Sequence, residues 1–139
     1  MLDLTTPTGR RVAKRLETET VVWLTTVSPD GSPRPSLVWF WWDGQEVLVY
    51  SQPGKVKLRN IEARPRVALN FNSDPGGGDV GVLLGAARLD PPAPPVSRHR
   101  PYLDKYRLLI TDGLDMTVEA FSDSYSVALR VRPDRYRAW

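Results

Sequence analysis

Glu46-Val-Leu-Val-Tyr-Ser51, then Gln52-Pro-Gly-Lys55-Val-Lys57-Leu-Arg59-Asn60, then Ile61-Glu-Ala-Arg-Pro65, is the stretch on which the reading of this chain turns. The first run is apolar and strand-like. Pro53-Gly54 marks a turn, and the helix predicted from about Lys55 opens with two lysines and stops before Pro65. Val67-Ala-Leu-Asn-Phe71 reads as the next strand. A strand, a tight turn and a lysine-bearing helix start make an anion site. The first amide groups of a helix lack internal partners, the helix dipole is positive there, and the lysines add full charge. A phosphate-bearing ligand suits such a site. A solvated basic helix face is the plainer alternative.

Outward from this segment the order is α-β-β-β-α-β-β-α-α-β. Thr8 to about Thr18 reads as an amphipathic helix after Thr6-Pro7, with Val12 and Leu16 on one face. Strands are predicted over Val21–Val27, Arg34–Trp42, Gln45–Ser51, Val67–Asn72, Val80–Leu89 and Ser126–Val131, from their β-branched and aromatic content and the turns between them. Asp43-Gly44 is a hairpin signal, and Ser73-Asp-Pro-Gly-Gly-Gly-Asp79 a flexible loop. Asp90-Pro-Pro-Ala-Pro-Pro95 is a stiff connector, and Arg98–Ile110 and Thr117–Ser124 read as helices. With no repeat or composition break, residues 1–139 are expected to be one domain.

Composition narrows the function classes. The chain has 139 residues, no cysteine and a single histidine, His99, so thiolate chemistry and multi-histidine metal sites are excluded and no metal is expected. His99, in Ser97-Arg-His-Arg100, is expected to be an exposed loop or helix-start residue. No signal-peptide pattern opens the chain and no apolar run spans a bilayer, so a cytoplasmic location without membrane contact is expected. Net charge is +3, but the arginines are dispersed, and the aromatics cluster in an apolar strand instead of lining a basic groove. Nucleic acid is therefore not an expected partner. Gly76-Gly-Gly78 lacks the Lys-Ser/Thr of a phosphate loop, Asp112 and Asp115 have no carboxylate cluster around them, and no hydrolytic triad is visible. An enzyme built this way would rely on a cofactor for its chemistry.

Ser36-Leu-Val-Trp-Phe-Trp-Trp42 is apolar on both faces: Leu37, Trp39 and Trp41 point one way, Val38, Phe40 and Trp42 the other. One face fills a barrel. The other needs cover from a partner subunit, a flat aromatic ligand or local helices, and a dimer interface is the expectation.

In Trp23-Leu-Thr-Thr-Val-Ser-Pro-Asp-Gly-Ser-Pro-Arg-Pro-Ser-Leu-Val-Trp39, Tyr50-Ser-Gln-Pro-Gly-Lys55, Lys57-Leu-Arg-Asn-Ile61, Arg64-Pro-Arg-Val-Ala-Leu69 and the tail Tyr125–Arg135, the chain resembles the pyridoxamine-phosphate-oxidase-like split-barrel proteins. Within them it is most similar to the actinobacterial class that uses the deazaflavin coenzyme F420. The resemblance implies a mainly β fold with flanking helices, a six-stranded antiparallel split β-barrel of the FMN-binding type. It also implies a homodimer with two cofactors at the subunit interface.

By the same resemblance, Pro35, Ser36, Leu37 and Val38 lie along the ring and hydrogen-bond its polar edge through backbone groups. Tyr50 and Ser51 stand near the ring and ribityl chain. Lys55 and Lys57 grip the phosphate, with Asn60 supporting and Arg59 a further basic position in the helix. Leu84-Gly-Ala-Ala87 stands where members often carry Glu-Gly-Thr-Ala, and Pro35 suits an edge strand. The implied activity is an F420-dependent oxidoreductase passing hydride to a small electrophile, with an FMN protein of the same fold or a non-catalytic F420 carrier as alternatives. The longer tail of F420 would need a wider basic exit, and the glycine loop is expected to leave that room.

Overall fold

The computed structural model describes residues 2–139. Helix α1 (Pro7–Thr18) begins where the Thr6 side chain accepts the Gly9 N–H at 3.0 Å, with Pro7 in the first turn. Strands β1 (Val22–Val27), β2 (Pro33–Val38), β3 (Trp41–Trp42) and β4 (Val47–Ser51) lead to α2 (Val56–Ala63). Then come β5 (Arg66–Asn70), β6 (Gly81–Leu89), α3 (Arg100–Leu108), α4 (Val118–Ser124) and β7 (Val127–Ala138). The sheet has seven strands in the order β2-β1-β5-β6-β7-β4-β3, and every neighbouring pair is antiparallel.

That order makes the sheet a split barrel. β2 and β3 are consecutive in the chain yet sit at opposite edges of the sheet. Only Trp39 and Phe40 separate them, a reach of roughly 10 Å, so the sheet must curl until its edges nearly meet. The strand predicted over Arg34–Trp42 is therefore two strands. The break has a cause: α3 takes Phe40's backbone groups away from the ladder. The Phe40 N–H donates to the Tyr106 hydroxyl at 2.8 Å, and the Phe40 carbonyl accepts from the Tyr106 hydroxyl and the Lys105 ammonium, each at 2.8 Å. β2 is an edge strand, so Pro33 and Pro35 sit where missing N–H groups cost least.

Inside the curl, Leu24, Phe40, Val47, Val49, Leu69, Leu83, Leu129 and Val131 pack with Val12 and Leu16 of α1 and Leu58 and Ile61 of α2. Burying each such side chain contributes about 1.5–3 kcal/mol. A second core forms outside the curl, where Leu48, Tyr50 and Ala128 meet Tyr102, Tyr106, Ile110 and Phe121 of the helical layer. β4 is buried on both faces, which is why Val47–Ser51 reads as an unbroken apolar run.

The helical layer also covers the second aromatic face of β2–β3. Trp39 stacks on Tyr106 (centroids 4.8 Å apart, planes 5° apart) and on Phe121, while Trp41 meets His99 edge-on at 4.7 Å. Of the three expected cover groups, the chain's own helices supply the one for both tryptophans. Leu37 alone of that face stays open, at 49% exposure. His99 corrects another expectation. It does start a helix, its Nδ1 accepting the Tyr102 N–H at 3.1 Å, but it is buried.

The last strand runs to Ala138, well beyond the predicted Val131, and β6 pairs with it along its whole length. Pro133 is tolerated because the register shifts there, opposite Gly85. The helix predicted to Ile110 leaves α-geometry at Leu109, where a wider turn over Leu109–Gly113 carries the chain to Leu114.

Candidate functional site

The β4–α2 junction forms as its sequence implies. Gly54 takes φ +77°, the left-handed region a glycine allows, directly after Pro53. Lys55 is the N-cap of α2, but its side chain caps nothing, and the first turn carries no acidic residue. The Val56 and Lys57 amides come too early in the helix to have an internal partner. Burial, and then the charge of Lys55, hold the Lys57 ammonium below lysine's ordinary value. Two cations, a positive helix end and free amides thus share one spot with no anion among them.

The lysines stand between two clefts. The larger, about 360 Å³, is lined by Leu37, Val38 and Trp39, by Tyr50, Ser51 and Gln52, by both lysines, and by Tyr102, Leu114, Phe121 and Tyr125. One wall is an aromatic ladder: Tyr125 lies 4.3 Å from Phe121 and Phe121 lies 5.6 Å from Trp39, each pair stacked. The smaller cleft, about 260 Å³, adds a third cation: Thr26, Arg34, Pro35, Ser36, Lys55, Val56 and Lys57 line it. A molecule with a flat apolar body and an anionic end matches this pairing.

Of the residues expected here, Leu37, Val38, Tyr50, Ser51, Lys55 and Lys57 line the larger cleft, and Pro35 and Ser36 the smaller. Tyr50 is pinned, its hydroxyl donating to the Pro94 carbonyl at 2.7 Å while burial pushes its pKa up to about 12. Ser51 is buried and donates to the Gln52 carbonyl at 2.8 Å.

Arg59 lines neither cleft; its guanidinium donates to the Gly54 carbonyl at 3.2 Å and so braces the turn. Asn60 lies beneath the site: its side-chain amide donates to Thr26 Oγ1 at 3.1 Å, linking α2 to β1. The glycine loop lines neither cleft. It is held against α1 by ion pairs of Arg11 and Arg15 with Asp79, whereas Arg34 lines the smaller cleft beside the lysines.

Sequence reasoning missed Arg34, Gln52, Tyr102, Leu114, Phe121 and Tyr125. Phe121 and Tyr125 are four residues apart, the spacing that puts side chains on one helix face, and that was the available signal. Gln52 donates to Ser124 Oγ at 2.8 Å and ties the junction to α4.

Among the described residues, no cluster of three His, Cys, Asp or Glu side chains could hold a metal, and no helix is long and apolar enough to cross a membrane.

The curled antiparallel barrel is shared with known proteins. The profile described as pyridoxamine 5'-phosphate oxidase matches residues 9–139, and the chain belongs to that family. Among solved structures, an F420 reductase is 28% identical, with 89% of this chain and 94% of that one covered and a TM-score of 0.67. A conserved hypothetical protein from Mycobacterium tuberculosis is 22% identical (94% and 82% covered, TM-score 0.73). The haem storage protein HutZ from Vibrio cholerae is 13% identical (93% and 92% covered, TM-score 0.63). The last two likenesses speak to fold alone. No curated protein matches the sequence.

Proposed function

We propose that the larger cleft binds a flavin-type cofactor, coenzyme F420, and that the protein is a reductase acting on a small electrophilic molecule. The observation that carries this is the unneutralised lysine pair at the start of α2, set beside an aromatic-walled cleft. Lys55, Lys57 and the free amides of α2 would hold the phosphate. Asn60 and Arg59 would support them indirectly, by fixing Thr26 and the Gly54 turn. Backbone groups of Pro35–Val38 would meet the ring's polar edge, with Tyr50 and Ser51 beside the ring and ribityl chain. The cofactor would supply hydride. The chain's part would be to orient acceptor and ring, to exclude water with Trp39 and Phe121, and to keep the reacting atoms close. Positioning of this kind can contribute several kcal/mol.

The family membership and the 28% identical F420 reductase support this reading. Haem is a poorer fit: the chain has no cysteine, and its one histidine is buried as the cap of α3. A homodimer belongs to the proposal. Leu37 and Leu114 line the cleft at 49% and 45% exposure, and a second copy of the chain would cover them.

The test is titration of purified protein with F420 and with FMN, followed by turnover of reduced F420 with quinones, enones and nitroaromatics. Micromolar or tighter F420 binding with turnover of one acceptor class is expected. Tighter FMN binding would make the protein a flavoprotein, and F420 binding without turnover would make it a carrier.

A further inference from the structure

Three buried tyrosines pack together beside the larger cleft, two of them, Tyr50 and Tyr102, lining it, and their hydroxyls are not equivalent. That of Tyr106 is shared between the carbonyls of Thr20 (2.7 Å) and Phe40 (2.8 Å) and also accepts the Phe40 N–H. That of Tyr50 donates to Pro94. Tyr102 is 1% exposed, packed against Tyr50 (centroids 4.9 Å) and Tyr106 (4.7 Å). Its backbone N–H bonds His99, yet its hydroxyl has no protein hydrogen-bond partner among the described residues. That hydroxyl is not sealed in: the enclosed side-chain polar atom without a partner among the described residues is Arg11 Nη2, so the Tyr102 phenol is open to whatever occupies the space beside it. Tyr102 lines the larger cleft, so the sliver of it that reaches the surface opens there.

The chemistry of its surroundings narrows the partner. Burial raises the Tyr102 pKa, and the neighbouring Tyr106, Tyr50 and Tyr125 phenols add to this, so the group stays neutral and able to donate. The rings packed directly on it are those of Tyr50 and Tyr106, and among the described residues the cations lining the cleft are Lys55 and Lys57. An ionised group placed against Tyr102 would be desolvated without a counter-charge, whereas a carbonyl oxygen would not.

We propose that the Tyr102 hydroxyl is a ligand-binding group of the cleft, donating a hydrogen bond to an uncharged carbonyl oxygen of a planar molecule held against the Trp39–Phe121 wall. In taking the occupant to be planar, this rests on the cofactor reading above. The carbonyl belongs either to the ring of the cofactor or to the acceptor.

Tyr102→Phe removes one oxygen and keeps the packed ring, so the unliganded protein should melt at the wild-type temperature. Wild type and variant are titrated with F420, with FMN and with menadione, a phosphate-free naphthoquinone, by quenching of tryptophan fluorescence. Menadione reduction by reduced F420 is then followed at steady state. A loss of roughly three- to tenfold in affinity is expected for one partner, the range for a neutral hydrogen bond. If the cofactor weakens, the carbonyl is on its ring. If menadione weakens and its KM rises while cofactor affinity and kcat hold, the carbonyl is the acceptor's. Menadione binding that is sensitive to the variant, with no binding of F420 or FMN, would sustain the role of Tyr102 and overturn the cofactor reading. Equal affinities of wild type and variant for all three ligands, or no binding of any of them by wild type, would overturn the proposal.

Discussion

Lys57 lies beside Lys55 at the amino end of α2, partly buried, and both its burial and that neighbour work against its charge. With no acidic residue in the first turn, the unliganded site is a concentration of like charge, relieved only when an anion arrives. Lys55→Ala and Lys57→Ala should each weaken binding of a phosphorylated cofactor by about 1.5–3 kcal/mol, the range for hydrogen bonds to charged groups. Unliganded stability should hold or rise slightly, most at Lys57. Isothermal titration and thermal melts check both. A double variant with wild-type cofactor affinity would remove the phosphate assignment.

Asn60 answers a different measurement. It is buried and donates to Thr26 Oγ1, itself fully buried, so Asn60→Ala leaves a hydroxyl without its partner. A stability loss of about 1–3 kcal/mol is expected by urea unfolding. Cofactor affinity of the folded variant should change less than in either lysine variant. If affinity falls as far as in Lys57→Ala while stability is unchanged, Asn60 touches the ligand directly.

Gly85 is set by close approach. A Cβ there would lie 2.2 Å from the Arg132 carbonyl oxygen, at the register shift between β6 and β7. The contact is with backbone, so no rotamer relieves it. Gly85→Ala should cost about 1–3 kcal/mol, as overpacking does, and should leave the cleft residues unchanged because none lies on β6. An alanine variant as stable as wild type would mean that the irregularity moves freely along the strands.

Lys105 sets a pH dependence. Burial pulls its pKa down to about 8, with Glu19 opposing. Its ammonium bonds the Phe40 carbonyl at 2.8 Å and lies 3.8 Å from the Phe40 ring centroid. The folded value is below the unfolded one, so from about pH 8 up to the ordinary lysine value the unfolded chain binds more protons and stability rises with pH. Lys57 acts in the same direction. Tyr50, Tyr102 and Tyr106, all shifted upward by burial, act in the opposite direction once free tyrosine ionises near pH 10. Chemical unfolding should therefore show a gain between pH 8 and about 10 that is smaller in Lys105→Met. A flat wild-type profile, or an identical rise in the variant, would contradict this.

The parts of this protein that local chemistry dictates were readable in advance. Ser51–Asn60 carries its own turn and helix start, and β1, β4 and β5 follow from their apolar runs. What was hidden depends on distant partners. Nothing in Ser36–Trp42 shows that Tyr106 and Lys105, more than sixty positions on, take over Phe40's backbone and split the strand. Nor does it show that α3 and α4 cover Trp39 and Trp41. The predicted last strand stops at Val131, and its continuation to Ala138 rests on pairing with β6, where Pro133 falls opposite Gly85 at the register shift. The lysines were visible because charge at a helix start is local. Tyr102 and Arg34 were not, because the clefts they line exist only once β2, α2 and α3 have met.

Arg34 bears on which cofactor the proposed site would hold. It shares the smaller cleft with both lysines, beyond the aromatic-walled one. FMN ends at its phosphate, whereas F420 continues into an anionic oligoglutamate tail that this cleft could receive. F420 should bind at least tenfold tighter than FMN, about 1.4 kcal/mol. Ring and phosphate contacts are common to both ligands, so the gap should come mainly from the tail. It should shrink at high salt, because exposed charge pairs are screened. Arg34→Ala should lower F420 affinity and leave FMN nearly unaffected. Fluorescence titrations of both cofactors, at low and high salt, with wild type and Arg34→Ala, separate these effects. Equal loss for the two cofactors in the variant would place Arg34 at the phosphate. Tighter FMN binding at both salt concentrations would make the protein a flavoprotein.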